Sequence, residues 1–493
     1  MLILLQLLTI VFMLGATYLV FRAFGPPRPA LLYRGDEKRR WDSLISKPLG
    51  SWFALTNVAG TLTSFATVYL FFVGNSKLFG WWIFLCVLTI WGGAFVTNYF
   101  TRAILKDSYL RKLLDSPDQR GGVIATVFWR PTRRCQQTAG IVKWLSLLNI
   151  AGVIWLEFAL FADISSKVLG VGHLAWSAIL LGFCCVTVCY FTLRYGLRGF
   201  VFADSFQVPL IVLGALVMLG GAVTLYAVNA GTVPSFGRMV APLLPRRACV
   251  LFAFHVLCLN GFLVLVTESH WLRLWIFKQK EITLQVRSLA ATAGIWSALI
   301  LVGLLTSAVA NGATGEAAIV GSIGKLSELS AVFPVAFWIG GMAALFSTAD
   351  VHIYSFLLVN GFDPKTGTLA DRRMSGAAPL LSSLLAAAVF CALYVMVRVA
   401  ALPFEKIVFL IIPLSLNVLP AMVLAARQRI PHPFFVCMSL VLYAACAVLG
   451  LIQPTQELAW TLASALMPVV SGLVACGASR WMEVVEEEHE RTA

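Results

Sequence analysis

Charge is what this chain has least of: 12% of its 493 residues are Asp, Glu, Lys or Arg, while 59% are hydrophobic and the mean hydropathy is +0.86. Water-soluble domains carry about twice that share of charge, so an ordinary soluble fold is excluded. The eleven cysteines contain no Cys-x-x-Cys pair. Most of them, among them Cys184, Cys185, Cys189, Cys391 and Cys446, lie within apolar runs as small fillers, which implies neither disulfides nor a metal centre. The loops lack an acidic pair beside a phosphate or metal pocket, which leaves an intramembrane transferase built on His352 or Asp350 without its chemistry; no enzyme activity is expected. The first apolar run has no basic start and no small-residue cleavage site, and a strongly basic loop follows it, so it reads as a retained anchor.

What is abundant is apolar sequence in runs long enough to cross a bilayer, about 20 residues each. Thirteen occur, near 2–24, 51–73, 79–101, 140–163, 172–192, 200–228, 248–271, 286–311, 332–358, 376–397, 405–426, 433–452 and 457–478. The fold class is an all-α polytopic membrane protein. Cytoplasmic loops hold the excess of Lys and Arg, and every second loop here is basic: 25–50, 102–139, then Arg194 and Arg198, Lys278 to Arg287, Lys365 to Arg373, and Arg427 with Arg429. The segment 230–247, with Arg238, Arg246 and Arg247, is the exception. This alternation places the amino terminus outside and the acidic tail Glu483 to Arg491 in the cytoplasm, in a multi-pass protein of the cell membrane. The net charge of +14 sits beside span ends, where orientation and anionic lipid account for it, so no nucleic-acid partner is expected.

Two runs are interrupted by glycine and polar residues, at Leu55 to Ser64 and at Cys258-Leu259-Asn260-Gly261. A helix that must satisfy its own backbone in lipid has a reason for such residues at mid-depth if it unwinds there around a ligand. The alternative is that the glycines let helices pack closely. With the first run set aside, five runs fill 51–228 and five more fill 248–427, and an odd number per half inverts the second half. The expected organisation is a first helix and basic loop (1–50), a five-helix repeat (51–228), an extracytoplasmic loop (229–247), an inverted second repeat (248–427), and two accessory helices with a tail (428–493). Paired broken helices in a 5+5 inverted repeat form the core of a LeuT-type transporter, with ion and substrate sites at mid-membrane.

Three stretches resemble the sodium/solute symporter family. Gly196 to Gln207 is similar to that family's start of core helix five, although Ala203 replaces its threonine and Tyr195-Gly196 its Gly-Gly. Ala343-Ala344-Leu345-Phe346-Ser347-Thr348-Ala349-Asp350 resembles the core helix eight signature, and Leu49-Gly50-Ser51-Trp52 the start of helix one. The resemblance implies a sodium ion held by carbonyls of Gly60 and Thr63, the carbonyl of Ala344, and the hydroxyls of Ser347 and Thr348. It implies Asp204 as an attractor on the ion's exit path, and Asn260 as a substrate contact. Glu157, an acid inside a run, costs about 2.5 to 3.5 kcal/mol at mid-bilayer and must face a cavity, a partner or the interface. It is a second substrate candidate, and Asn417, between Pro413 and Pro420, a third. His352, about 140° from Ser347 around its helix, is expected to pack against a neighbour. Proline-type members carry an acid in the helix-one break where Leu62 stands here, which argues against proline as solute.

The expected function is therefore secondary active transport, sodium-coupled symport of a small organic solute by alternating access, with sodium as coupling ion and no other cofactor. A proton-coupled permease and a transporter-like sensory module acting with a separate signalling partner remain alternatives.

Overall fold

Hydrocarbon offers no hydrogen-bond partners, so a spanning run satisfies its backbone by winding into a helix. The computed structural model shows a helix or bent helix pair at each of the thirteen runs. It describes residues 2–24, 48–107, 123–171, 174–229, 235–277, 282–309, 314–369, 377–452 and 457–478. The basic loop 25–47, part of the loop 102–139 and the acidic tail lie outside the described residues.

After α1 (Leu2–Phe24), the first five-span unit consists of α2 (Pro48–Leu62) with the π-helical α3 (Ala66–Gly74), α4 (Ser76–Ile104), α5 (Arg133–Val168), α6 (Leu174–Gly196) and α7 (Val201–Val228). The second consists of α8 (Arg246–Val266) with α9 (Glu268–Phe277), α10 (Ile282–Val309), α12 (Val332–Gly361), α13 (Ala378–Val399) and α14 (Lys406–Ala426). Between α10 and α12 lies α11 (Gly315–Leu329), and a two-stranded hairpin, β1 (Phe362–Asp363) and β2 (Thr368–Leu369), joins α12 to α13. Two further helices, α15 (Pro433–Ile452) and α16 (Ala459–Ala478), follow the second unit.

The helices outrun the apolar stretches where polar ends reach water: the run 140–163 becomes α5, which begins at Arg133 and ends beside Lys167. Gly196 (φ 61°) turns the chain between α6 and α7 in a conformation that a side chain would strain. Lipid-facing helices and core helices differ in burial. On α13, Leu381, Leu385 and Met396 stand exposed, whereas the middle of α12, from Gly340 to Val351, is buried throughout. That central helix packs against α7, α5 and α2, the elements that carry the site.

Candidate functional site: the two helix breaks and the cavity between them

The first break falls at Thr63 and Ser64, where α2 and α3 meet at 52°. Hydroxyls compete there with the helical ladder. Thr61 Oγ1 donates to Asn57 O at 3.0 Å, Thr63 Oγ1 donates to Ala59 O, and the Thr63 amide falls back to Gly60 O at 3.0 Å, one residue short of helical pairing. Ser64 then caps the outgoing half, its Oγ accepting from the Thr67 amide at 3.0 Å. The remaining amides go to Glu157 of α5, which accepts from Phe65 N at 2.7 Å and Ala66 N at 3.3 Å. Three carbonyls, of Thr61, Leu62 and Thr63, thereby lose the amides that an unbroken helix would give them.

The second break is not at Asn260-Gly261. Helix α8 runs through both residues and ends at Thr267, which is extended (φ −94°, ψ 138°), six positions beyond Gly261. Asn260 does not unwind the helix because its amide points sideways, donating to Cys86 O at 3.1 Å and Thr89 Oγ1 at 3.0 Å on α4. A Cβ at Gly93 of α4 would run into the Asn260 carbonyl, so the glycine there serves close helix packing. Gly60 behaves similarly: it lies within α2, and a Cβ on it would strike Ser347 Oγ and approach Asp204 Oδ1 to 3.1 Å. The first segment, Leu55 to Ser64, thus contains its break at Thr63-Ser64, with Gly60 serving a packing contact just before it, whereas Asn260-Gly261 marks a packing contact and the second break is Thr267.

Between the two breaks lies a cavity of about 140 Å³. Apolar rings and branches form most of it, including Phe71, Phe72, Trp296 and Phe409. Its polar wall comes from both breaks and from α5, α8 and α12: Thr61, Ser64, Thr67, Thr267 and Ser269, then Asn149, His255 and Asn260, and Thr348 with His352. Among the described residues no Asp, Glu, Lys or Arg lines it.

Toward the side from which α2 starts, a buried polar cluster closes the space below the cavity. Asp204 of α7 accepts from Asn57 Nδ2 at 2.5 Å and from Ser347 Oγ. Arg273 of α9 donates through Nε to Asn57 Oδ1 at 2.8 Å and through Nη2 to Asn57 O at 3.0 Å and to Thr61 Oγ1. Asp204 also feels the charges of Arg273 and Asp350. One cluster thus ties α2, α7, α9 and α12 together. Asp204, expected near an exit open to the cytoplasm, is fully buried, because Asn57 and Ser347 satisfy its carboxylate from two other helices.

On the opposite side, α11 is held by ion pairs. Glu316 of α11 pairs with Lys167 of α5 and lies 4.0 Å from Arg398 of α13. Lys167 also meets Asp163 at 2.7 Å, Arg398 meets it at 3.4 Å, and Tyr394 Oη donates to it at 2.8 Å. This cluster is wetter: the Lys167 and Arg398 side chains are 29% and 31% exposed.

The structure therefore brings Gly60, Ser347 and Asp204 into one contact and places Thr348 and Asn260 in the cavity wall. Thr348 Oγ1 is buried without a hydrogen-bond partner, an oxygen suited to a hard cation, as are the carbonyls freed at the first break. Ala344 is buried one turn earlier on α12, and the Thr63 hydroxyl is spent on α2. Two expected substrate contacts are elsewhere. Glu157 caps the first break and does not line the cavity; burial in the protein requires donors, and the broken backbone supplies them. Asn417 faces α15, donating to Leu414 O at 2.9 Å and accepting from Ser439 Oγ at 2.7 Å. His352 also departs from expectation, since it lines the cavity while its Nδ1 meets Thr348 O at 2.7 Å. Sequence reading gave no role to Asn57 or Arg273. The signal was present: Asn57, Gly60 and Thr61 share one face of α2 at helical spacing, and Arg273 is an unneutralised cation beside an apolar run.

An all-α bundle of two successive five-span units, each opening with a broken helix and enclosing a cavity at the breaks, is the LeuT-type transporter fold. A solved Na+-coupled sialic acid symporter, in a substrate-bound outward-open state, matches with a TM-score of 0.57 at 14% identity, over 95% of this chain and 97% of that one. Mhp1, a nucleobase-cation-symport-1 family transporter, matches at a TM-score of 0.45 and 13% identity over 93% and 94% of the two chains. MhsT in complex with L-phenylalanine matches at 0.46 and 13% over 88% and 99%. No family model matches the sequence, and no curated sequence relative does.

Proposed function

We propose that the protein is a secondary active transporter that moves a small organic solute by alternating access, coupled to sodium. The observation that carries this is the central cavity, bounded by both helix breaks, with a cluster of charged residues on either side of it. A site that can be reached from each side in turn needs two separate closures, and the clusters are placed to act as those closures. The basic loops assign the side of Arg273 to the cytoplasm and the side of Glu316 to the outside, with the amino terminus outside.

Sodium is the proposed coupling ion. Thr348 Oγ1 and the carbonyls released at the first break offer neutral oxygens, with Asp204 and Ser347 adjacent, and the sialic acid symporter of the same fold is Na+-coupled. Sodium would favour the solute-competent state by binding it more tightly than the alternative, which is all that coupling requires. Gly60, Thr63, Ala344, Ser347 and Thr348 are the proposed surroundings of the ion, and Asn260 the proposed solute contact.

Counterflow tests this reading. Proteoliposomes loaded with a metabolite extract should exchange at least one solute across the membrane faster in sodium than in potassium, read by mass spectrometry. Exchange of nothing, in either cation, would remove the transporter reading.

A further inference from the structure

The outgoing half-helix of a broken span is an anion site by construction: its first amides point at the gap and its dipole favours negative charge. In this chain that site is already filled. The amides of Phe65 and Ala66 are held by the Glu157 carboxylate, and that of Thr67 by Ser64 Oγ. At the second break α9 begins with an acid of its own, Glu268, which stands at the positive end of that helix and accepts from Ile124 N at 2.7 Å. Each half-helix thus already starts beside a carboxyl group of this chain, Glu157 at the first and Glu268 at the second.

The cavity wall repeats the message. Among the described residues it contains no Lys or Arg to meet a carboxylate or phosphate and no carboxylate to meet an amine, its only ionisable nitrogens being the imidazoles of His255 and His352. Arg273 and Asp204, the nearest charged pair of the closing cluster, are spent on Asn57, Thr61 and Ser347. A charged or zwitterionic solute would give up its hydration here without meeting a side chain of opposite charge in the described wall. What the wall does offer is ring surface, from Phe71, Phe72, Phe409 and Trp296, and uncharged hydrogen-bonding groups from several helices. Asn260 is one of them: its Nδ2 is fixed by Cys86 O and Thr89 Oγ1, which leaves Oδ1 to accept from a ligand. The volume, about 140 Å³, is close to that of the engineered apolar cavity of roughly 150 Å³ that takes up benzene.

We infer that the solute of this site is an uncharged, single-ring aromatic or heteroaromatic molecule, stacked among Phe71, Phe72, Phe409 and Trp296 with a polar edge toward Asn260, and that the Glu157 carboxyl takes the amides that a carboxylate solute would need. The inference rests on the transporter reading for what happens after binding, but the binding preference stands on the cavity alone.

Isosteric pairs test it: nicotinamide against nicotinate, and benzamide against benzoate. Thermal shift titrations of the detergent-purified full chain, near neutral pH and with sodium present, give the affinities. The neutral member of at least one pair should bind about tenfold or more tightly than its anionic twin, a difference of about 1.4 kcal/mol. Equal or tighter binding of the anion, or no binding by any neutral member, would overturn the inference. Counterflow of the bound neutral compound separates the two readings: binding without exchange removes transport and keeps the solute class, whereas exchange of the anion keeps transport and removes the class.

Discussion

The two charged clusters on either side of the cavity are built from the same chemistry in different solvents. Around Asp204 the groups are almost dry: Asp204 is 0% exposed, Asn57 1% and Arg273 5%. Around Glu316 the basic side chains keep about a third of their surface in water, while the acids Asp163 and Glu316 are 4% and 14% exposed, so this cluster is half-wet. A buried ion cluster holds only while each of its hydrogen bonds is made, because removing one partner strands a charge in low dielectric. A wet one is worth little and weakens further with salt. The difference teaches that the two closures are unequal. Opening on the Glu316 side breaks screened pairs, whereas opening on the Arg273 side must dismantle a network joining four helices. Without ligands the chain should therefore open more readily on the Glu316 side.

The comparison breaks most visibly at Arg273. Arg273→Ala should cost about 3 to 5 kcal/mol of stability by leaving Asp204 uncompensated, and Asp204→Asn in the same chain should return a good part of it; thermal unfolding of the purified variants reads both. A double variant no more stable than Arg273→Ala would show that the two charges do not compensate one another. Next come the glycines. Gly60→Ala should cost about 1 to 3 kcal/mol by overpacking against Ser347 and Asp204. Gly261→Ala, with nothing within 4 Å of its Cβ, should be neutral or stabilising. If Gly261→Ala were the more damaging of the two, α8 would have to unwind there after all. The smallest effect belongs to the wet cluster. Glu316→Gln should cost about 1 kcal/mol or less, yet raise the labelling rate of a cysteine placed in the cavity wall from the Glu316 side. High salt should mimic the variant, and labelling indifferent to both would deny the cluster a role in closure.

Much of this architecture could be read from the sequence, because bilayer thickness forces it to be. Every apolar run of spanning length is a helix or bent pair in the structure. Helix α11 was missed although its pattern was there: Ala318, Ile319, Ser322, Ile323 and Leu326 fall on one face and are buried, while Glu316 opens its first turn. It was passed over because it is too short and mixed to span. The second break was misplaced for a deeper reason. Glycine in a membrane helix reports close packing as well as unwinding, and what decides between them is where the freed amides find acceptors. Glu157 answers that question for the first break from a position 92 residues away from Phe65. Likewise, Arg273 meets Asn57 across 216 residues. Partnerships at such separations leave no mark in local pattern, so the acids could be seen as costly within a span but not assigned to cap, lock or ligand.

The most direct test of cation-coupled transport needs no knowledge of the solute. Thermal stability of the purified chain is compared in sodium, potassium and choline at equal ionic strength, for wild type and Thr348→Ala. At about ten times its dissociation constant a specifically bound ion adds about 1.4 kcal/mol. The account predicts that gain in sodium alone, and its loss when the unpartnered hydroxyl of Thr348 is removed. Equal melting of the wild type in all three cations would contradict it.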